Sequence, residues 1–252
     1  MRMAFWRSYD RGGFPPYVSV AERRATALRQ AKKLEKKGRK LDAVQVAGTR
    51  IATSFWGKAW CTNLESYSDF ANRLPRGRTY LRTGAVLDLK IAPGSVEALV
   101  AGSSLYEVSV RIRRLPLKRW KGVISSCTGQ VDSAIELLSG GVPQSVLRAL
   151  VDRKAGLFPA PREIEFDCSC PDFAGMCKHI AAVLYGVGAR LDRSPELFFT
   201  LRKLDLNDLV ASSVPVAAPS DVDSASLEGI FGIELDRDEP APPPRKRERR
   251  RA

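Results

Sequence analysis

A chain of 252 residues with 44% hydrophobic and 27% charged residues is long enough to bury a core without disulfide staples. It has no run of eighteen apolar residues to span a bilayer, and Met1 to Tyr17 shows no apolar stretch of a secretory signal, so a protein that is not integral to a membrane and a cytoplasmic location are expected. The formal net charge of +13 is uneven: residues 1–60 hold fourteen Lys/Arg against four Asp/Glu, and the last eight hold six against one, which suits a polyanionic partner or a basic surface kept for solubility.

Residues 1–18 read as an irregular arm in which Arg7 and Arg11 alternate with Phe5, Trp6, Tyr9, Phe14 and Tyr17. Such an arm either grips a flexible nucleic-acid strand or is pinned by its rings onto the body. Ser19 to Val46 predicts a basic helix with a thin stripe of Ala25, Leu28, Ala31 and Leu34, with Gly38 as a candidate break. Its cations Arg23, Arg24, Arg29, Lys32, Lys33, Lys36 and Lys37 fit a solvated face or a phosphate-tracking one. Phe55, Trp56, Ala59, Trp60, Leu64, Tyr67, Phe70 and Leu74 recur at helical spacing and end at a Pro75 to Gly77 turn, so they are assigned to a core-filling helix.

Alternating segments at Thr79 to Arg82, Val86 to Ile91, Val96 to Ala101 and Tyr106 to Arg113, broken by Gly84, Pro93-Gly94 and Gly102, predict an antiparallel meander. Arg76 and Arg78 fall beside that sheet and join the candidate nucleic-acid contacts. Helical patterns follow at Leu117 to Cys127, Val131 to Ser139 and Val142 to Ala155, and again at Leu197 to Val210. From Ser212 the composition turns to Val, Ala, Pro, Ser and Asp, which predicts a disordered tail ending in basic residues. Within it Leu227, Ile230, Phe231, Ile233 and Leu235 form an apolar cluster that either folds back onto the body or docks on a partner.

Three of the five cysteines and the single histidine fall in one short stretch, as Cys168, Cys170, Cys177 and His179, with the spacing C-x-C-x6-C-x-H. Three thiolates and one imidazole complete a tetrahedral zinc shell with metal–sulfur and metal–nitrogen bonds of about 2.3 and 2.0 Å. A full shell has no position for water or substrate, so the expected cofactor is one structural Zn2+. Ile164 and Phe166 alternate as a strand leading into Cys168, and Lys178 to Ala189 reads as a helix, so the motif predicts a β-β-α finger. Lys178, between two ligands, is a further candidate phosphate contact. Cys61 and Cys127 are assigned to packed core thiols.

At Cys168, Cys170, Cys177 and His179 the chain resembles the SWIM zinc finger family, whose C-x-C and C-x-H pairs sit on a β-β-α unit. The Phe55 to Trp60 segment, the Pro75-Arg76-Gly77-Arg78 turn and the Phe231-Gly232-Ile233-Glu234-Leu235 segment extend the likeness to bacterial SWIM proteins associated with SWI/SNF-type helicases. The resemblance implies DNA binding or protein contact, with an accessory role beside a helicase.

Enzymatic readings lack parts. The one histidine is committed to the metal, and neither a G-x-x-x-x-G-K-S/T phosphate loop nor an H-E-x-x-H helix occurs. The expectation is an α+β protein with an antiparallel sheet, covering helices, a small zinc finger and a disordered basic tail, divided at 1–48, 49–160, 161–211 and 212–252. It is read as a non-catalytic binder of nucleic acid, DNA before RNA, beside a possible SWI/SNF-type helicase, with no membrane and no small-molecule substrate. The rivals are a pure protein-interaction adaptor and an RNA binder.

Overall fold

The computed structural model describes residues 18–67, 72–131, 133–172 and 174–211, apart from the side chains of Val20, Arg23 and Arg24. The arm up to Tyr17 and the tail from Ser212, with its cluster Leu227, Ile230, Phe231, Ile233 and Leu235, lie outside the described residues.

Helix α1 (Val20–Lys36) starts from a reciprocal capping box: Ser19 Oγ accepts from the Glu22 amide at 3.1 Å and the Glu22 carboxylate accepts from the Ser19 amide at 2.8 Å. It stops well before Val46. Gly38 takes a left-handed conformation (φ 81°), and the chain then runs extended along the sheet, with bonds from the Val44 amide to the Val86 carbonyl and from the Leu89 amide to the Asp42 carbonyl. Here the sequence reading is corrected, because Val44 gains burial by lying along the sheet rather than on a helix.

Helix α2 (Phe55–Glu65) buries Trp56, Trp60 and Leu64, four residues apart, as the spacing predicts. Both indoles find carbonyls inside the core, Trp56 Nε1 at Leu138 (3.1 Å) and Trp60 Nε1 at Leu184 (2.7 Å), which removes the cost of burying their N–H groups. The helix does not continue to Leu74. A separate helix α3 (Leu74–Arg82) holds Pro75 in its first turn, where a missing N–H costs nothing, and includes the segment Thr79 to Arg82 that alternation assigned to a strand. Leu74, Gly77 and Leu81 form its buried face.

Strands β1 (Val86–Ala92), β2 (Ser95–Ala101) and β3 (Leu105–Ile112) form the expected meander. The fourth strand is β4 (Ile164–Cys168), antiparallel to β3 with Val110 opposite Phe166 and Val108 opposite Cys168, giving the order β1-β2-β3-β4. Helices α4 (Leu117–Cys127), α5 (Ala134–Ser139) and α6 (Gln144–Val151) follow the sheet hairpins in sequence and come close to the expected ranges.

Helix α7 (Lys178–Leu191) is the centre of the core, buried on nearly every side from His179 to Gly188 and packed against α2, α3, β1, β3 and β4. Its approach to α3 is close enough that a Cβ on Gly77 would stand 2.4 Å from the Ala181 Cβ and 2.7 Å from its backbone, so only glycine fits there. The single helix expected over Leu197 to Val210 is instead α8 (Glu196–Arg202) and α9 (Asn207–Ala211), parted by Lys203 in the left-handed region (φ 56°). Among the described residues no helix is long and apolar enough to cross a membrane.

One ionic cluster holds the start of β4. Arg202 on α8 is fully buried, reaches Glu163 at 3.0 Å and donates to the Arg113 carbonyl at 2.7 Å, while Arg119 meets the same carboxylate at 3.3 Å. Removing the carboxylate leaves a guanidinium in the core without its counter-charge, a change that typically costs about 3–5 kcal/mol. Glu163→Ala is therefore expected to lower the urea midpoint by a corresponding amount, whereas the exposed pair partner Glu165→Ala should shift it by less than about 1 kcal/mol.

Candidate metal centre

Four side chains converge where β4 ends and α7 begins. Cys168 closes β4, and Cys170 follows two residues later; the turn between them is fastened to β3 by the Ser169 amide on the Glu107 carbonyl and the Glu107 amide on Ser169 Oγ, both at 3.0 Å. The loop that returns to the helix is tied to α3 through Asp172, which pairs with Arg73 at 3.2 Å and accepts from the Ala174 amide. Cys177 is then the N-cap of α7, its sulfur accepting from the Ile180 amide at 3.5 Å, and His179 sits in the first turn with only 1% of its surface exposed.

The ligand atoms of Cys168, Cys170, Cys177 and His179 all lie within 4.8 Å of one another, and His179 Nδ1 is 3.8 Å from both the Cys168 and Cys177 sulfurs. Zinc–ligand bonds of about 2.3 and 2.0 Å at tetrahedral angles put sulfur and nitrogen about 3.5 Å apart. The observed separations are those of co-ligands, so the cluster can hold one zinc ion. When bound, the ion would supply charge neutralisation and a cross-link between strand and helix.

Protonation follows the same geometry. The Cys168 thiol is pushed up, first by the hydrogen bond it shares with Cys177 and then by burial, and burial likewise raises Cys170. Cys177 is lowered to about 3, chiefly by the Cys168 hydrogen bond and further by His179 and the Ile180 amide at the helix start. Charge on one sulfur thus opposes charge on the others, and a divalent cation is what allows all three to be thiolates together.

The imidazole is held by rings. Tyr106 on β3 stacks on His179 with centroids 4.3 Å apart and planes 24° from parallel, and Tyr80 on α3 meets it edge-on at 5.3 Å. Tyr106 is itself fixed by a 2.7 Å hydrogen bond between its hydroxyl and Ser103 Oγ. Gly102 keeps this box open, since a Cβ there would stand 2.9 Å from the Tyr106 ring and 3.4 Å from His179 Nε2. Nε2 is buried with no hydrogen-bond partner among the described residues, so ring packing sets the ring's orientation and aims Nδ1 at the sulfurs.

Of the β-β-α finger, the leading strand and the helix are present, but the described residues between Cys168 and Lys178 form no strand. The partner of β4 is β3, from the body. Tyr80, Gly102 and Tyr106 escaped sequence reading because they lie far along the chain from the ligands. Among the proposed phosphate contacts, Arg23, Arg24, Arg29, Lys32, Lys33 and Lys36 lie on α1 and Lys37 caps it; the described side chains from Arg29 to Lys37 are exposed. Arg76 is exposed on α3, Arg78 is paired with Glu65 and Tyr185, and Lys178 lies 5.7 Å over the Tyr80 ring. These cations are spread over α1, α3 and α7.

A strand that delivers two cysteines to the capped start of a helix carrying a third cysteine and a histidine defines a SWIM-type zinc finger, and the SWIM zinc finger family model matches residues 160–187. The chain is also 31% identical over 208 residues to Uncharacterized protein Rv2102 of Mycobacterium tuberculosis, an alignment covering 77% of this chain and 75% of that protein. The chain belongs to the same family as this mycobacterial protein. No solved structure matches it.

Loss of one ligand should release the ion and loosen the junction it joins. Cys177→Ser and His179→Ala are each expected to reduce zinc content by elemental analysis from one equivalent to near none and to speed amide exchange from Ile164 to Leu191. The ring box has its own test: Tyr106→Leu should weaken zinc in a competitive chelator titration by about 10-fold or more, as loss of a supporting contact around a metal ligand does, whereas Tyr106→Phe, which keeps the stack, should stay close to the parent chain.

Proposed function

We propose that this chain is a non-catalytic zinc-finger protein of the cytoplasm that binds nucleic acid, duplex DNA before RNA, and works as an accessory beside a SWI/SNF-type helicase. The observation that carries the reading is uncompensated charge. Lys32, Lys33, Lys36 and Lys37 stand exposed along α1 and its cap, and none of them forms an ion pair among the described residues. Cations without an ion-pair partner keep their attraction for phosphates, and each phosphate neutralised releases condensed counterions.

The metal centre supports a binding role over a catalytic one. Its four protein ligands complete the zinc shell, and the histidine is buried behind two tyrosine rings, so the ion acts as a fastener. Lys178, at the start of α7, adds positive charge to an element that the fastener joins, and Arg76 adds more at the solvent-facing side of α3, which packs on α7. The helicase association rests on the SWIM resemblance and the accessory role it implies.

Titration of zinc-loaded protein against a fluorescent DNA duplex over a range of salt concentrations tests this. The expected result is binding whose log affinity falls linearly with log salt, with a slope near −0.9 for each phosphate contacted, about −3.6 if the four α1 lysines all engage. Lys32→Gln, Lys33→Gln, Lys36→Gln and Lys37→Gln together should flatten the slope. Absence of binding at low salt would favour the adaptor reading, and preference for single-stranded RNA in competition would favour the RNA one.

A further inference from the structure

A second cationic feature lies away from both α1 and the zinc centre. The segment leading into α2, the exposed side of α2 and the outer side of α3 enclose an open pocket of about 360 Å³, lined by Thr49, Arg50, Lys58, Thr62 and Arg78 and by Tyr185 of α7. Tyr185 is six positions along the helix from His179, about 9 Å at 1.5 Å per residue.

The charges in this pocket are not balanced. Glu65 is its one acidic lining residue, and it is already engaged: it pairs with Arg78 and accepts from the Tyr185 hydroxyl at 3.0 Å, while Arg78 donates to that hydroxyl at 3.2 Å and lies over the Tyr185 ring at 5.3 Å. Arg50 and Lys58 are exposed on the rim, and neither has an ion pair among the described residues. Cys61, also in the wall, adds no competing anion: burial, with the nearby Glu65 and Asp192 charges, pushes its thiol up to about 12, so it stays neutral at physiological pH; Asp192 itself accepts from Thr53 and Ser54 and is not among the lining residues.

Resting on the nucleic-acid reading above, we infer that this pocket is a phosphate-binding site for the nucleic-acid backbone, with Arg50 and Lys58 as the charge-bearing contacts. The Arg78–Glu65–Tyr185 group ties α2, α3 and α7 together at the pocket, and Thr49 and Thr62 add hydroxyl-bearing residues to its lining. Two cations and several hydroxyls around an open cavity match the several oxygens and the single charge of a phosphodiester. A purely apolar partner would find little here to bury, because the rim is polar.

The test is a salt titration of a short fluorescent DNA duplex on the full, zinc-loaded chain, comparing the parent protein with Arg50→Gln/Lys58→Gln and with a control, Lys118→Gln/Lys121→Gln, which removes the same charge from exposed positions on α4. Zinc content and circular dichroism confirm that each variant is folded. The slope of log affinity against log salt should become shallower by about 0.9 in the pocket variant, for the one phosphate that Arg50 and Lys58 share, and change little in the control. An unchanged slope in the pocket variant, or an equal loss in the control, overturns the site while leaving the nucleic-acid reading intact. A parent protein that binds no duplex at low salt overturns both.

Discussion

Three sulfurs that resist sharing negative charge have to meet one imidazole at the buried start of a helix, and much of the fold is arranged around that meeting. Cys177 caps α7 with its sulfur on the Ile180 amide, so the helix and the site begin at the same residue. Cys168 ends the strand that completes the sheet, and β4 keeps its place because Glu163, just before it, is held by the buried Arg202. The helix in turn is fixed from outside by α3, which approaches so closely that Gly77 has no room for a side chain. Zinc at this point would tie the last strand of the sheet to the central helix of the core.

The role of positive charge is set by its surroundings more than by its total. Arg202 and Arg119 are taken up by a buried carboxylate and by carbonyls, and Arg78 by the exposed Glu65, where they order the chain. Arg113 is spent on Glu165 across the β3–β4 pair. The lysines of α1 and the rim cations Arg50 and Lys58 have no such partner among the described residues. A net charge of +13 does not by itself distinguish these two populations.

The histidine shows how a ligand is aimed without a second hydrogen bond. Its Nε2 is sealed in the core, and Tyr106, Tyr80 and the missing side chain of Gly102 leave the ring one orientation. Stacking of this kind fixes direction at low entropic cost because the rings are rigid. It also couples the centre to β3 and α3, so that strain in either element would be felt at the metal.

Local chemistry was readable from the sequence by itself: the C-x-C-x6-C-x-H ligand set, the three strands whose alternation is broken by Gly and Pro, the Trp56–Trp60–Leu64 core stripe and the run of helix-forming residues in α4 and α7. Each of these signals is complete within about one turn or one strand, which is why it survives without a partner in view. Other features were settled only by tertiary contact. Alternation made Thr79 to Arg82 look like a strand, but packing against α7 makes it a helix, with Pro75 tolerated in the first turn. Helix α1 ends at Lys36 because the following chain gains hydrogen bonds from β1, and the strand beside Cys168 is β3, more than fifty residues earlier in the register Val108 to Cys168. The tyrosine box and the Arg50–Lys58 pocket belong to the same class, since side chains far apart in sequence acquire their meaning only when the core brings them together.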